Sequence, residues 1–183
     1  ISFLKRPVPN LVAMNPTTAL AFIFSSISFI LLTSTKISRQ LQIAGYLLAC
    51  IVIIIGALRF SEVLFGFNPK ADQLLFAKKL NQKITGNESN SMAPNTSFCF
   101  ILIGLSLLLL KYETRRKQFS VQYVALLIGL VGLLSLIGYL YQVKTFYGVL
   151  VYIPMAIHTA ICFLLLSFAV LFVNAEKGIM KEF

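Results

Sequence analysis

Several residue types that carry chemistry are scarce in this chain. Its 183 residues include no tryptophan, one histidine and six acidic residues. The sequence shows no nucleophile with a base at helical spacing, no phosphate-binding loop and no pair of buried carboxylates, so we expect no enzyme activity and no cofactor. Cys50, Cys99 and Cys162 all fall inside apolar runs, where a thiol behaves as a small hydrophobe.

Apolar residues, in contrast, make up 58% of the chain, and the mean hydropathy is +0.86. A soluble domain cannot bury so much apolar surface, which indicates a bilayer protein. Five stretches are long enough to cross a membrane: about 12–33, 41–60, 94–110, 121–143 and 154–174. No charged residue lies in the middle of any stretch, which argues against an ion-coupled transporter. We therefore predict an all-α membrane protein with about five transmembrane helices.

A nine-residue phrase occurs three times, each time where an apolar run begins. The copies are MNPTTALAF from Met14, MAPNTSFCF from Met92 and MAIHTAICF from Met155. Each copy has a polar residue three positions after the Met, a Thr four positions after it and a Phe eight positions after it. These residues are Thr17, Thr18 and Phe22; Asn95, Thr96 and Phe100; and His158, Thr159 and Phe163. The repetition predicts a bundle of repeated helical hairpins with an MxxxT-type return helix.

We predict that residues 1–183 form a single transmembrane bundle, which the hairpins divide into repeated units. We predict a half-unit 1–33, a hairpin unit 41–110 with a long outer loop 61–93, a hairpin unit 121–174 and a tail 175–183. In the spans before the second and third phrases, Gly56 and Gly138 occupy corresponding positions. The sequence NPKADQLLFAKKLNQKITG in the outer loop predicts a short interfacial helix. Because Ile1 is not a translation start, we expect a fragment or a processed product.

The net charge of +10 indicates a lipid partner rather than a nucleic acid. The basic residues are spread over loops on both sides of the membrane, whereas nucleic-acid binding gathers them on one face. Anionic lipid headgroups are the expected partner. The short loop KYETRRK at 111–117 holds four basic residues, so the positive-inside rule places 33–40, 111–120 and the C-terminus in the cytoplasm.

Prolines at the phrases predict where the return helices begin. Asn15 can cap a helix whose first residue is Pro16, and Pro94 and Pro154 mark the same entrance in the other copies.

The repeated polar and sulfur side chains are candidates for ligand binding or packing. They are Met14, Thr18, Met92, Asn95, Thr96, Met155, His158 and Thr159. Met155, His158 and Cys162 share one helix face and would suit Cu(I), but small and hydroxyl residues beside Met are also ordinary helix-packing material. We therefore predict no metal site and expect His158 to hydrogen-bond to a neighbouring helix.

Arg59 and Glu62 are a separate candidate at the end of the second span. Their i, i+3 spacing predicts an interfacial ion pair on one helix face. The corresponding residues of the second unit are Tyr141 and Lys144.

Four segments carry a resemblance to a known family. They are GALRFSEVLFGF followed by ADQLLF, MAPNTSFCFILIG, GYLYQVKTFYG and PMAIHTAICFLLL. From about Val12 to Met180 the chain resembles the N-terminal multi-span membrane region of bacterial sensor histidine kinases and related signalling proteins. The resemblance implies a location in the bacterial inner membrane and a cytoplasmic signalling module downstream. It implies no ligand and no binding residues.

Two functions follow as expectations. The first is a membrane sensory input domain that acts on a cytoplasmic module by shifting the packing of its hairpins. The alternative is an accessory structural subunit bound to a protein partner within a larger membrane complex. A signalling module downstream in the intact reading frame would favour the first.

Overall fold

The computed structural model describes residues 14–34, 36–65, 92–110, 120–141 and 155–173, and within these ranges the regular structure is entirely helical. The helices are α1 (Pro16–Thr33), α2 (Arg39–Phe65), α3 (Pro94–Leu108), α4 (Ser120–Leu140) and α5 (Ile157–Phe172). The predicted interfacial helix of the 61–93 loop lies outside the described residues.

Three of the helices are long and apolar enough to cross a bilayer. These segments are Pro16–Thr33, Arg39–Glu62 and Val121–Leu140. The helices α3 and α5 are apolar but shorter, with 15 and 16 residues. The all-α architecture of a membrane protein agrees with the prediction from composition, while crossing by all five helices stays a prediction.

Helix α2 extends further than its sequence suggested. It continues to Phe65, five residues into the segment predicted as the outer loop. Glu62 is only 7% exposed and pairs with Arg59 one turn earlier, so this ion pair lies within the helix rather than after it. A charge pair held on one helix face supports the last turns of the helix.

The helices α2 and α3 pack against each other in opposite directions. A Cβ added at Gly56 would lie 2.7 Å from the Ser97 carbonyl oxygen, and one added at Gly104 would lie 3.0 Å from the Ala49 carbonyl oxygen. Contact of the late residue of α2 with the early residue of α3, and the reverse, defines an antiparallel pair. Glycine permits the close approach because it has no side chain.

The helices α4 and α5 form a second antiparallel pair. The Ser167 hydroxyl donates to the Ala125 carbonyl at 2.7 Å, and a Cβ at Gly132 would lie 3.1 Å from the Ala160 carbonyl oxygen. Helix α1 is antiparallel to α2 as well, because Ser28 near its end donates to the carbonyl of Gly45 near the start of α2 at 2.8 Å.

Polar and apolar side chains are distributed as in a membrane bundle. Large aliphatic residues point outward, including Leu47, Ile54, Leu130 and Leu165. Among the described residues, six serines are buried: Ser25, Ser28, Ser97, Ser106, Ser135 and Ser167. Small hydroxyl residues let helices approach closely in lipid, where apolar surface needs no burial.

Candidate functional site

The three phrase helices, α1, α3 and α5, begin at the same residue of the repeated phrase. In each, the residue after the Met is the N-cap, in extended conformation: Asn15, Ala93 and Ala156. The first helical residue follows directly, and it is Pro16, Pro94 or Ile157. Pro154, predicted to mark the third entrance, lies outside the described residues, and α5 begins at Ile157 without a proline.

The phenylalanines of the three phrases form one aromatic cluster, here called the Phe triangle. The ring centroids of Phe22 and Phe100 are 4.9 Å apart, those of Phe22 and Phe163 4.7 Å, and those of Phe100 and Phe163 5.0 Å. Phe100 and Phe163 are completely buried, and Phe22 is 9% exposed. The three phrase helices therefore converge at the same phrase position.

The phrase helices also share one direction. Helices α1 and α3 are both antiparallel to α2, as the contacts above show. Helix α4 packs against α3, and the topology predicted from the sequence, with 111–120 as one short loop on one side of the membrane, makes these two helices antiparallel. Since α5 is antiparallel to α4, the N-terminal ends of all three phrase helices lie at the same end of the bundle, here called the mouth.

A layer of threonines lies between the Phe triangle and the mouth. Thr18, Thr96 and Thr159 are each 2% exposed. Each stands four residues before its phenylalanine, so it shares a helix face with the ring and lies about 6 Å nearer the N-terminus. Because the threonines are buried and lie on the same helix face as the rings, we infer that they face the axis around which the Phe triangle is arranged.

The polar residue before each threonine has buried side-chain atoms that find no hydrogen-bond partner in the described structure. The atoms concerned are Thr17 Oγ1, Asn95 Oδ1 and Nδ2, and His158 Nδ1 and Nε2. The predicted hydrogen bond from His158 to a neighbouring helix is therefore absent, and that prediction is wrong. Helix side chains lean toward the N-terminus, so these polar groups lie beside the free amides of the first turn.

The N-caps differ in how they satisfy those amides. The Asn15 side chain accepts a hydrogen bond from the Thr17 amide at 2.8 Å. Ala93 and Ala156 have no side-chain acceptor, and neither α3 nor α5 has a side-chain cap. The first turns of these two helices thus keep amide donors that have no acceptor within the helix.

Two long side chains from neighbouring helices bind the methionine carbonyls at the mouth. Arg59 Nε donates to the Met92 carbonyl at 3.0 Å and also pairs with Glu62. In the other hairpin the Tyr139 hydroxyl donates to the Met155 carbonyl. The two hairpins therefore use different residues at the same phrase position.

Sequence reasoning missed both second-hairpin contacts. It paired Gly56 with Gly138, whereas the glycine that meets the corresponding carbonyl of the third phrase is Gly132. Likewise Tyr139 takes the place predicted for Tyr141, which is 71% exposed, and Lys144 lies outside the described residues. The distance in sequence from each phrase could have identified these contact residues. It failed because α2 contacts α3 in a different register from that in which α4 contacts α5.

The sulfur side chains of the three phrases are part of the hydrophobic packing. Met92 and Met155 are buried in the core cluster, and Met14 packs against it. Cys162 is a free, partly buried thiol on α5. The described residues contain no group of three or more His, Cys, Asp or Glu side chains placed to hold a metal ion.

No family model, curated protein or solved structure matches the chain. The resemblance to sensor kinase membrane regions thus stays a prediction from sequence, and function has to be argued from the mouth and the packing beneath it.

Proposed function

We propose that this chain is a non-catalytic membrane input domain of a bacterial signal-transduction protein, which couples a stimulus at the mouth to a cytoplasmic module. The observation that carries the proposal is the set of buried, unpartnered polar atoms on Thr17, Asn95 and His158. Buried polar groups are normally hydrogen-bonded, and exceptions mark sites that bind something or change state.

The packing beneath the mouth supports a role in transmission. All three phrase helices meet in the Phe triangle, so a displacement of one helix end is felt by the other two. Packed aromatic layers switch between discrete arrangements rather than deforming continuously. A stimulus that spreads the mouth would therefore move α1, α3 and α5 together.

The proposal includes five membrane spans. The packing of α3 and α5 along α2 and α4, which are long and apolar enough to cross, supports a crossing by these two shorter helices as well. In this topology the unit is a repeated hairpin in the bacterial inner membrane, anionic headgroups contact the loops, the mouth faces outward and the C-terminus is cytoplasmic. Any protein partner within the membrane would contact the outward aliphatic faces.

A chimera tests this function. The chain is fused through residues after Val173 to a cytoplasmic kinase or cyclase output module in a bacterial cell, and output is compared between wild type and Phe100→Ala. We expect Phe100→Ala to change basal output because it removes the contact shared by the phrase helices, whereas Phe168→Ala on the lipid-facing side should not. Equal output from all three chimeras would reject an input domain and favour the accessory subunit.

A further inference from the structure

The mouth holds hydrogen-bond donors that have no partner, and the unpartnered side-chain atoms there also include an acceptor, Asn95 Oδ1. The first turns of α3 and α5 carry amides with no side-chain cap, and the Asn95 amide nitrogen has no partner. The carbonyls of Met92 and Met155 at this end of the bundle already receive hydrogen bonds from Arg59 and Tyr139. A ligand that satisfies the first-turn amides and the Asn95 amide nitrogen accepts hydrogen bonds from them, and a protonated oxygen on the same ligand can donate to Asn95 Oδ1.

The electrostatic potential at the mouth favours a negatively charged ligand. A helix N-terminus has an effective charge of roughly +0.5, and three such ends lie side by side here. Arg59 adds a guanidinium next to the start of α3, and Glu62 is its ion-pair partner. Helix N-termini with free amides bind phosphate and carboxylate groups in this way.

Buried polar side chains at the mouth are a second observation, beside the free amides, that indicates a binding site. Asn95 is 7% exposed and Thr17 is 6% exposed, yet neither has a partner for the polar atoms named above. Both stand at the second helical residue, where a side chain leans toward the free amides of the first turn. Two polar side chains buried beyond nine-tenths thus point to the same end of the bundle as the amides.

From these observations we infer that the mouth binds a small oxyanion, a carboxylate or a phosphate group. The first-turn amides of α3 and α5 donate to it, and so do the Asn95 amide nitrogen and the hydroxyls of Thr18, Thr96 and Thr159. The Phe triangle closes the site on the side away from the mouth and keeps the ligand at the N-terminal turns. That the oxyanion is the stimulus rests on the proposed function, whereas binding itself does not.

Binding is measured on the purified chain in maltoside detergent, which has no phosphate and no charge. Inorganic phosphate or acetate is titrated at constant ionic strength against chloride, and affinity is read from the rise in the thermal midpoint. Saturable stabilisation by phosphate or acetate, absent with chloride, is the expected result. No stabilisation by either anion, and none by the lipid used in the next arm, would overturn the inference.

A second arm separates a free oxyanion from a lipid headgroup. The chain is placed in vesicles of phosphatidylcholine with and without phosphatidylglycerol, and bound lipid is counted by native mass spectrometry after extraction. Stoichiometric phosphatidylglycerol that free phosphate displaces assigns the site to lipid phosphate. Binding of free phosphate without retained lipid assigns it to the soluble anion. Either result supports the inference.

Matched variants of α3 locate the site. Asn95→Leu and Thr96→Val should each weaken binding about tenfold or more, the effect of losing a hydrogen bond to a charged group. Ser106→Ala is the control, because Ser106 also has a buried, unpartnered hydroxyl but lies near the other end of α3. Unchanged affinity in both mouth variants, or an equal loss in Ser106→Ala, would reject the assignment.

Thr96→Ser guards against misfolding. It keeps the hydroxyl and should bind like wild type, and circular dichroism and gel filtration verify the fold of each variant. The binding assay needs no output module, so its failure leaves the chimera test of the input function intact. If phosphate binds to the purified chain but does not change the output of the chimera, only the signalling role is rejected.

Discussion

The Phe triangle provides the sharpest test of the packing. Phe163 is completely buried on α5, and its ring lies 4.7 Å from Phe22 and 5.0 Å from Phe100. Phe168, five residues later on the same helix, is 51% exposed and has its ring contact with Phe172 at 6.4 Å. Truncating each to alanine removes the same atoms from one helix in two different environments.

The expected magnitude follows from the contacts that are lost. Phe163→Ala removes two aromatic pairs at about 0.5–1.5 kcal/mol each, or about 1–3 kcal/mol in all. The cavity left in the core adds to this, but the water-transfer part of a soluble-core value does not apply, because the unfolded reference in a membrane is also apolar. We expect a loss of about 2–4 kcal/mol for Phe163→Ala and about 0.5 kcal/mol or less for Phe168→Ala.

Reversible unfolding in mixed micelles of maltoside and dodecyl sulfate, followed by circular dichroism, measures both losses. Combining Phe163→Ala with Phe22→Ala should give a loss that differs from the sum by about 0.5 kcal/mol or more, because the two rings are in contact. Similar losses for Phe163→Ala and Phe168→Ala, together with strict additivity of the first pair, would refute the reasoning that the phrase helices converge on these rings.

Three further predictions concern helix contacts and topology. Gly56→Ala should destabilise the chain by about 1–3 kcal/mol in the same unfolding assay, because the new Cβ meets a carbonyl oxygen of α3 at 2.7 Å; a neutral effect would contradict that close approach. Arg59→Leu should cost about 3–5 kcal/mol because it removes the ion pair with the buried Glu62 carboxylate and the hydrogen bond to the Met92 carbonyl, and Glu62→Leu added to it should recover the part that the buried carboxylate causes; no recovery would show that the ion pair is not the cause. Cysteines at Ser89 and Thr114 in a Cys-free background, both outside the described residues, should react with a membrane-impermeant thiol reagent from opposite sides, and labelling from the same side would overturn the predicted topology.

The sequence alone indicated a membrane protein and identified the starts of α1 and α3. Its apolar content and uncharged apolar stretches indicated a membrane protein, and in a bilayer the backbone satisfies its own hydrogen bonds by forming helices. Asn15 and Pro16 identified the start of α1 because capping depends on adjacent residues, and α1 begins there. Local chemistry of this kind is readable from a sequence.

Tertiary structure decided which repeated residues meet. The phrase places its phenylalanines at equal positions in sequence, but only the packed helices bring three rings within 5.0 Å of one another. The register between α4 and α5 could not be read from the pattern, because Gly132 rather than Gly138 meets the third phrase. His158 illustrates the same limit: its position on α5 was predictable, but its lack of a hydrogen-bond partner depends on the atoms that other helices place around it. A helical pattern determines the face on which a residue lies, whereas the register between two helices is set by the sum of all their contacts.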